Sequence, residues 1–222
     1  MTLISYDRTV AQASYERPLG RAEARAHTRE VVLEAAEELF MTTGYSATTV
    51  VQIAAKAGRT QGAIYGNFAS KEALCLEVIK NRYTDTFGQL AAALFSAEDT
   101  LDGKLDVIAK WWTMLASDEQ LTILLAEYGL AVHRDPSQHA AFAGYLDMIQ
   151  ELIRDIIAQH LPGDDASAEL VETSMMSLVA TGSGLALFQA AGLIDASQSS
   201  GALTENVRLW SDRLKAGPPK GE

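Results

Sequence analysis

The sequence predicts an all-α protein, with an N-terminal three-helix helix-turn-helix domain, a larger C-terminal helical domain and about nine helices in all. Three observations carry this. No proline interrupts the chain between Pro18 and Pro136, so helix can follow helix without a break. Apolar residues recur at three- and four-residue spacing, and the alternation expected of strands is absent. With 222 residues, 48% hydrophobic and 21% charged, the chain can bury a sizeable core and is too apolar for general disorder.

The elements follow in order. Ala22–Met41 repeats Val32, Ala35, Ala36, Leu39 and Phe40 on one face, an amphipathic helix that Gly44 is suited to terminate in a left-handed cap. Thr49 and Gln52 form a capping box for a short helix whose Ile53, Ala54 and Ala57 face inward and which ends at Gly58. Thr60 caps a second short helix, Gln61–Asn67. Two short helices joined by a tight glycine-containing turn make a helix-turn-helix. Ser70 caps a long helix over Lys71–Ser96, and Thr100–Ala116 and Glu119–His133 follow. Pro136 at a first helical position opens a helix to about His160, stopped by Pro162-Gly163. Asp165 opens Ala166–Ala191, and Thr204 opens a last helix to about Lys215. Residues 1–20 read as an arm, 21–69 as the helix-turn-helix domain, 70–215 as the second domain and 216–222 as a tail.

Net charge is −11, which on its face argues against nucleic acid. The charge is unevenly placed. Residues 1–82 hold ten Lys/Arg against nine Asp/Glu, and residues 83–222 hold eight against twenty, so only the first part tolerates a polyanion. The single cysteine, Cys75, excludes an intrachain disulfide and a multi-cysteine zinc site. His133, His139 and His160 lack metal-ligand spacing. No paired acid and base, nucleophile or phosphate loop stands out, so neither enzyme, metal nor cofactor is expected. Met1–Gly20 carries Asp7, Arg8, Glu16 and Arg17 and no apolar segment, unlike a signal peptide, so the expected compartment is the cytoplasm. Thr173–Ile194 lacks charge over a length that could span a bilayer. It is rich in Ser, Thr and Gly, and Glu169, Glu172 and Asp195 flank it rather than a basic cluster. A helix buried inside protein is the favoured reading.

The most informative stretch runs from Gly44-Tyr45 through Thr49-Val50, Ile53-Ala54, Ala57-Gly58, Gly62-Ala63-Ile64-Tyr65, Phe68, Ser70-Lys71-Glu72 and Leu74. Over about 50 residues, counted from Arg25, this pattern resembles the N-terminal domain of the TetR family of bacterial transcriptional regulators. The resemblance implies that Thr49, Thr60, Gln61, Tyr65, Asn67 and Lys71 meet DNA. Physics agrees in part. The helix that enters a major groove about 12 Å wide needs hydrogen-bonding side chains and little bulk. Thr60 and Gln61 supply the first, and Gly62 and Ala63 the second. Thr49 sits at a helix start suited to a phosphate. Lys71, in the first turn of its helix, opposes the helix dipole and is more easily explained by an external phosphate. Family members commonly carry an aromatic residue where Gly66 stands and histidine where Asn67 stands. Arg59 reaches guanine or phosphate, or is simply solvated. Arg17, Arg21, Arg25 and Arg29, spaced by four, form either a solvated ridge paired with Glu23 and Glu30 or a set of phosphate contacts at Arg25 and Arg29 with a minor-groove arm. Val31, Leu33, Phe40, Tyr45, Ile53, Ile64 and Phe68 are expected in the core.

The resemblance further implies a homodimer, a double-stranded DNA operator with an inverted repeat, and a small-molecule effector. The expected dimer surface is the uncharged helix (Met175, Leu178, Gly182, Leu185, Phe188) with Trp210 of the last helix. The expected effector site is lined by Trp111, Trp112, Leu115, Tyr128, Phe142 and Tyr145. An effector there would displace the fourth helix and change the separation of the two DNA-binding heads, most often relieving repression. Glu127, lying in an apolar stretch, could anchor a cationic effector or pair with Arg134. Cys75 reads as buried and inert. The rival reading is a helical adaptor with a vestigial first domain.

Overall fold

The computed structural model describes residues 20–160 and 167–216. Among these the regular structure is entirely helical: α1 Arg21–Thr43, α2 Val50–Lys56, α3 Gln61–Tyr65, α4 Lys71–Phe95, α5 Leu101–Ala116, α6 Glu119–Val132, α7 Pro136–His160, α8 Ala168–Ala190 and α9 Ala196–Ala216. The expected arm and tail lie outside the described residues, apart from Gly20, which caps α1, and Ala216, which ends α9. Arg17 and the stop at Pro162-Gly163 lie outside them as well.

Local signals set most boundaries. Thr49 accepts the Gln52 amide while Gln52 Oε1 accepts the Thr49 amide at 2.8 Å, the reciprocal capping box that two orphan donors require. Thr60, Ser70, Thr100 and Asp118 cap α3, α4, α5 and α6 by accepting the amide three residues on, without the reciprocal half. Asp135 Oδ1 accepts the Ser137 and Gln138 amides at the start of α7. Gly44 ends α1 with φ at +87°, a value that favours glycine.

Two helix caps differ from the sequence reading, and other ends move by one or two residues, as at α3, which stops at Tyr65 and not at Asn67. The cap of α8 is Ser167, whose hydroxyl accepts the Leu170 amide at 3.2 Å; Asp165 lies outside the described residues. The last helix begins at Ala196, not at Thr204. Asp195 and Gln198 form a second reciprocal box, each accepting the other's amide at 2.9 Å, and the Thr204 hydroxyl bonds back to the Ser200 carbonyl inside the helix.

Packing joins the two predicted domains. One core cluster combines Val32, Phe40, Tyr45, Ile53, Ile64 and Phe68 with Leu74, Cys75, Val78 and Ile79 of α4, then continues into Leu124, Tyr128 and Val132 of α6 and Tyr145 of α7. Val31 and Leu33 pack half-buried against it. Cys75 is fully buried, and burial pushes its thiol up from its ordinary value. A second cluster ties α5, α8 and α9 together through Leu105, Trp112, Met175, Leu203, Val207 and Leu214. Helix α8 is long and apolar enough to cross a membrane, yet here it packs against α6, α7 and α9.

Candidate DNA interface and effector cavity

Helix α3 has five residues, too few to persist unaided, so its neighbours must hold it. Ile64, 2% exposed, anchors its inner face. The Arg25 guanidinium of α1 donates to the Gly66 carbonyl at 2.9 Å and reaches Asn67 Oδ1 at 3.4 Å, closing the last turn. Asn67 Nδ2 donates to the Ala63 carbonyl at 2.8 Å. What remains outward is Thr60, Gln61, Gly62 and Tyr65, all exposed, with Ala63 half-buried. A Cβ at Gly62 would meet only the Thr60 hydroxyl, at 3.8 Å. The interior therefore does not demand glycine there, although glycine costs about 1 kcal/mol against alanine within a helix. Thr49, Val51 and Gln52 of the α2 turn extend the same exposed surface. No acidic residue occurs between Glu38 and Glu72, a stretch that holds Lys56, Arg59 and Lys71.

Several basic residues turn out to be committed within the chain. Arg29 pairs with Glu77 at 2.6 Å and lies over the Phe68 ring. Together with Arg25, which stays exposed, it braces α1 against α3 and α4, so both arginines have partners within the chain; Glu23 and Glu30 are not those partners. Lys71 donates to the Tyr45 and Thr48 carbonyls at 2.9 and 3.0 Å and sits 4.0 Å above the Tyr45 ring. An external phosphate is therefore not needed to explain a lysine at the start of α4. Arg59 is half-buried and donates to its neighbour's carbonyl, Gly58.

Tyr45 is the junction between the helix-turn-helix and the rest of the molecule. Its hydroxyl donates to Glu72 at 2.7 Å, and its amide donates to Glu127 of α6 at 2.7 Å. The Ser46 amide lies 3.4 Å from the same carboxylate oxygen. Burial and Glu72 together push the Tyr45 hydroxyl well above its ordinary value. Glu127 thus ties α6 to the turn before α2; it pairs with neither Arg134 nor a cavity. Arg82 of α4 makes a second tie, bridging Glu37 of α1 and the α6 cap Asp118.

Between α4, α5, α7 and α8 lies an apolar cavity of about 300 Å³. Trp111, Trp112, Leu115 and Tyr145 line it as expected. Tyr128 and Phe142 do not. They pack edge to face at 5.3 Å, Tyr128 fully buried in the first core cluster and Phe142 half-buried against it. The indole nitrogens donate to the Thr86 carbonyl and to the Ser199 hydroxyl, so the two tryptophans offer only apolar faces. The sequence reading named no lining residue of α4 and, on α7, only Phe142 and Tyr145, so it missed Phe87, Leu90 and Leu94 and also Ile149, Ile153 and Ile156. Their three- and four-residue spacing was the available signal.

The expected dimer residues divide. Met175, Gly182 and Trp210 are buried within the protomer, Gly182 against the Trp112 ring, and Leu178 lines the cavity while Leu185 packs on the second core. Phe188 is 55% exposed. A helix apolar on every side does not declare its outward face. The structure puts Met176, Ala180, Leu187 and Phe188 outward on α8, with Leu209 on α9.

Residues 32–78 match the family of bacterial regulatory proteins named tetR. The chain is 26% identical to the uncharacterized HTH-type transcriptional regulator YvdT of Bacillus subtilis, over 68% of this chain and 77% of that one. It is 30% identical to the HTH-type transcriptional repressor BepR of Brucella suis, over 62% of this chain and 64% of that one. Its fold is similar to that of the TetR-family repressor FadR of Thermus thermophilus, solved with lauroyl-CoA, at a TM-score of 0.59 and 24% identity, covering 87% of this chain and all of that one. The exposed, glycine-lightened α3 and the helix-turn-helix frame that holds it fall within residues 32–78, the segment that matches the bacterial regulatory proteins of the tetR family.

Proposed function

We propose that the protein is a cytoplasmic repressor that binds an inverted-repeat operator as a homodimer and is released by a small-molecule effector. The observation that carries this reading is the outward face of α3, where Gln61 and Tyr65 stand beside a glycine that the interior does not require. Gln61 and Thr60 read base edges, while Thr49, Arg59 and the third proton of the Lys71 ammonium take phosphates. The exposed apolar stripe of α8 with Leu209 of α9 forms the subunit contact. Two recognition helices then meet major grooves one turn apart, or more.

Release follows from shared elements. Helix α4 lines the cavity with Phe87 and Leu90 and holds Tyr45 through Lys71 and Glu72. Helix α6 lines it with Leu125 and Ala126, and its next residue, Glu127, holds the Tyr45 amide. An effector that shifts either helix reorients the turn before α2. Moving the population from 1:99 to 99:1 takes about 5.5 kcal/mol of differential affinity.

Salt titration of binding to the region upstream of the protein's own gene tests the reading. Log K should fall linearly with log salt, with a slope of about −0.9 per phosphate neutralised. A flat response would favour a protein-binding adaptor.

A further inference from the structure

The geometry points to a single-tailed anionic amphiphile as the cavity's ligand, its head held by Lys104 and His160 and its tail laid along α7 toward Tyr145. This inference rests on reading the cavity as the effector site. The shape comes first. On α7 the lining runs from Tyr145 to His160, a separation of about 22 Å at 1.5 Å per residue. A volume of about 300 Å³, at the low end of the roughly 300–1,000 Å³ usual for small-molecule sites, is narrow when drawn out over that length. Lining of that extent around so small a volume accommodates an extended chain.

Charge fixes the orientation. Among the described lining residues the basic groups are Lys104 and His160, and no carboxylate joins them. Both stand at the end remote from the helix-turn-helix, where α5 begins and α7 ends. The Lys104 side chain is only 15% exposed, while its partner Asp99, at 2.8 Å, is 97% exposed. A counter-ion so open to water is a weak competitor for an anion delivered from the apolar side. Burial and the neighbouring Lys104 lower the proton affinity of His160, with Asp99 acting in the opposite sense, so Lys104 carries the charge and His160 offers an imidazole N–H beside it. The tail side is apolar through Leu94, Phe87, Ile153 and Trp111. An alkyl chain there buries methylene groups without orphaning polar atoms.

The test uses three probes with one tail and different heads: dodecanoate, dodecanol and dodecylammonium. Fluorescence of Trp111 and Trp112, both in the cavity wall, reports binding to the full-length protein. Dodecanoate should bind at least tenfold more tightly than dodecanol, and dodecylammonium most weakly. Lys104→Met should reduce the dodecanoate preference to within about threefold of dodecanol. Asp99→Asn, a change at an exposed side chain, should tighten dodecanoate by freeing Lys104. Equal binding of all three probes, or a preference that survives Lys104→Met, overturns the inference and leaves the effector cavity standing. If no probe alters the fluorescence, the cavity reading falls with it.

Discussion

Replacing Glu127 by alanine tests the link between cavity and DNA-binding head. The carboxylate accepts the Tyr45 amide at 2.7 Å and lies 3.4 Å from the exposed Ser46 amide. The longer contact is replaceable by water, so one strong bond counts. A hydrogen bond to a charged group contributes about 1.5–3 kcal/mol. Taking about 2 kcal/mol, and about 2–4 °C per kcal/mol for a chain of this size, the melting temperature should fall by roughly 4–8 °C. The second effect concerns coupling. Operator affinity should fall, probe affinity in the cavity should hold, and the loss of DNA affinity caused by the probe should shrink. Gly44 offers an independent handle: a Cβ there would stand 3.0 Å from the Glu127 carboxylate, at a φ of +87°. Because Gly44→Ala strikes the same contact, its cost and that of Glu127→Ala should combine non-additively. Melting is followed by scanning fluorimetry and coupling by operator titration with and without dodecanoate. An unchanged melting temperature with intact coupling would refute the assignment of Glu127 as the tie.

Other outcomes follow from the same contacts. Gln61→Ala should cost about 1–3 kcal/mol at one base pair and leave the others alone, read by titrating single-base variants of the operator; an evenly spread loss would move the recognition helix elsewhere. Phe188→Arg places charge on an exposed apolar stripe and should give monomers in sizing experiments, whereas a retained dimer would exclude that face. Burial works against ionisation of Glu72, but the Tyr45 hydroxyl bond and its own backbone hold its pKa below the ordinary 4.5. A depressed carboxylate adds stability above its unfolded pKa and loses it as pH falls through the folded value. Glu72→Gln should therefore flatten the stability profile on the acid side of about pH 4.5, and an unaltered acid limb would remove Glu72 from that role.

Sequence revealed what is local. The Thr49–Gln52 box, the Thr60 and Ser70 caps and the glycine after α1 each act within a few residues, and each is realised at hydrogen-bond distance or at the φ that the position demands. The core of the helix-turn-helix was legible for the same reason, because Val32, Phe40, Ile53 and Ile64 repeat at helical spacing. What failed is contact across the chain. Nothing near Glu127 announces an amide 82 positions away, and nothing near Arg25 announces the Gly66 carbonyl. Spacing by four in the arginines suggested a ridge, but a shared helical face also serves to brace neighbours. On α8, apolar side chains surround the axis, so Met175 and Met176 could not be told apart, although one is fully buried and the other half exposed. The missed start of α9 has a local cause: Thr204 looks like a cap, yet its hydroxyl is absorbed by Ser200 within the helix.

The central claim is that the face of α3 bearing Gln61 reads base edges while its surroundings grip the backbone. Selection of binding sites from random duplex DNA tests it most directly, run in parallel on the wild type and Gln61→Ala. The account predicts that the wild type enriches an inverted repeat with half-sites about one helical turn or more apart, and that the variant loses preference at one symmetric pair of positions. Enrichment of no sequence, or identical motifs from both proteins, would contradict it.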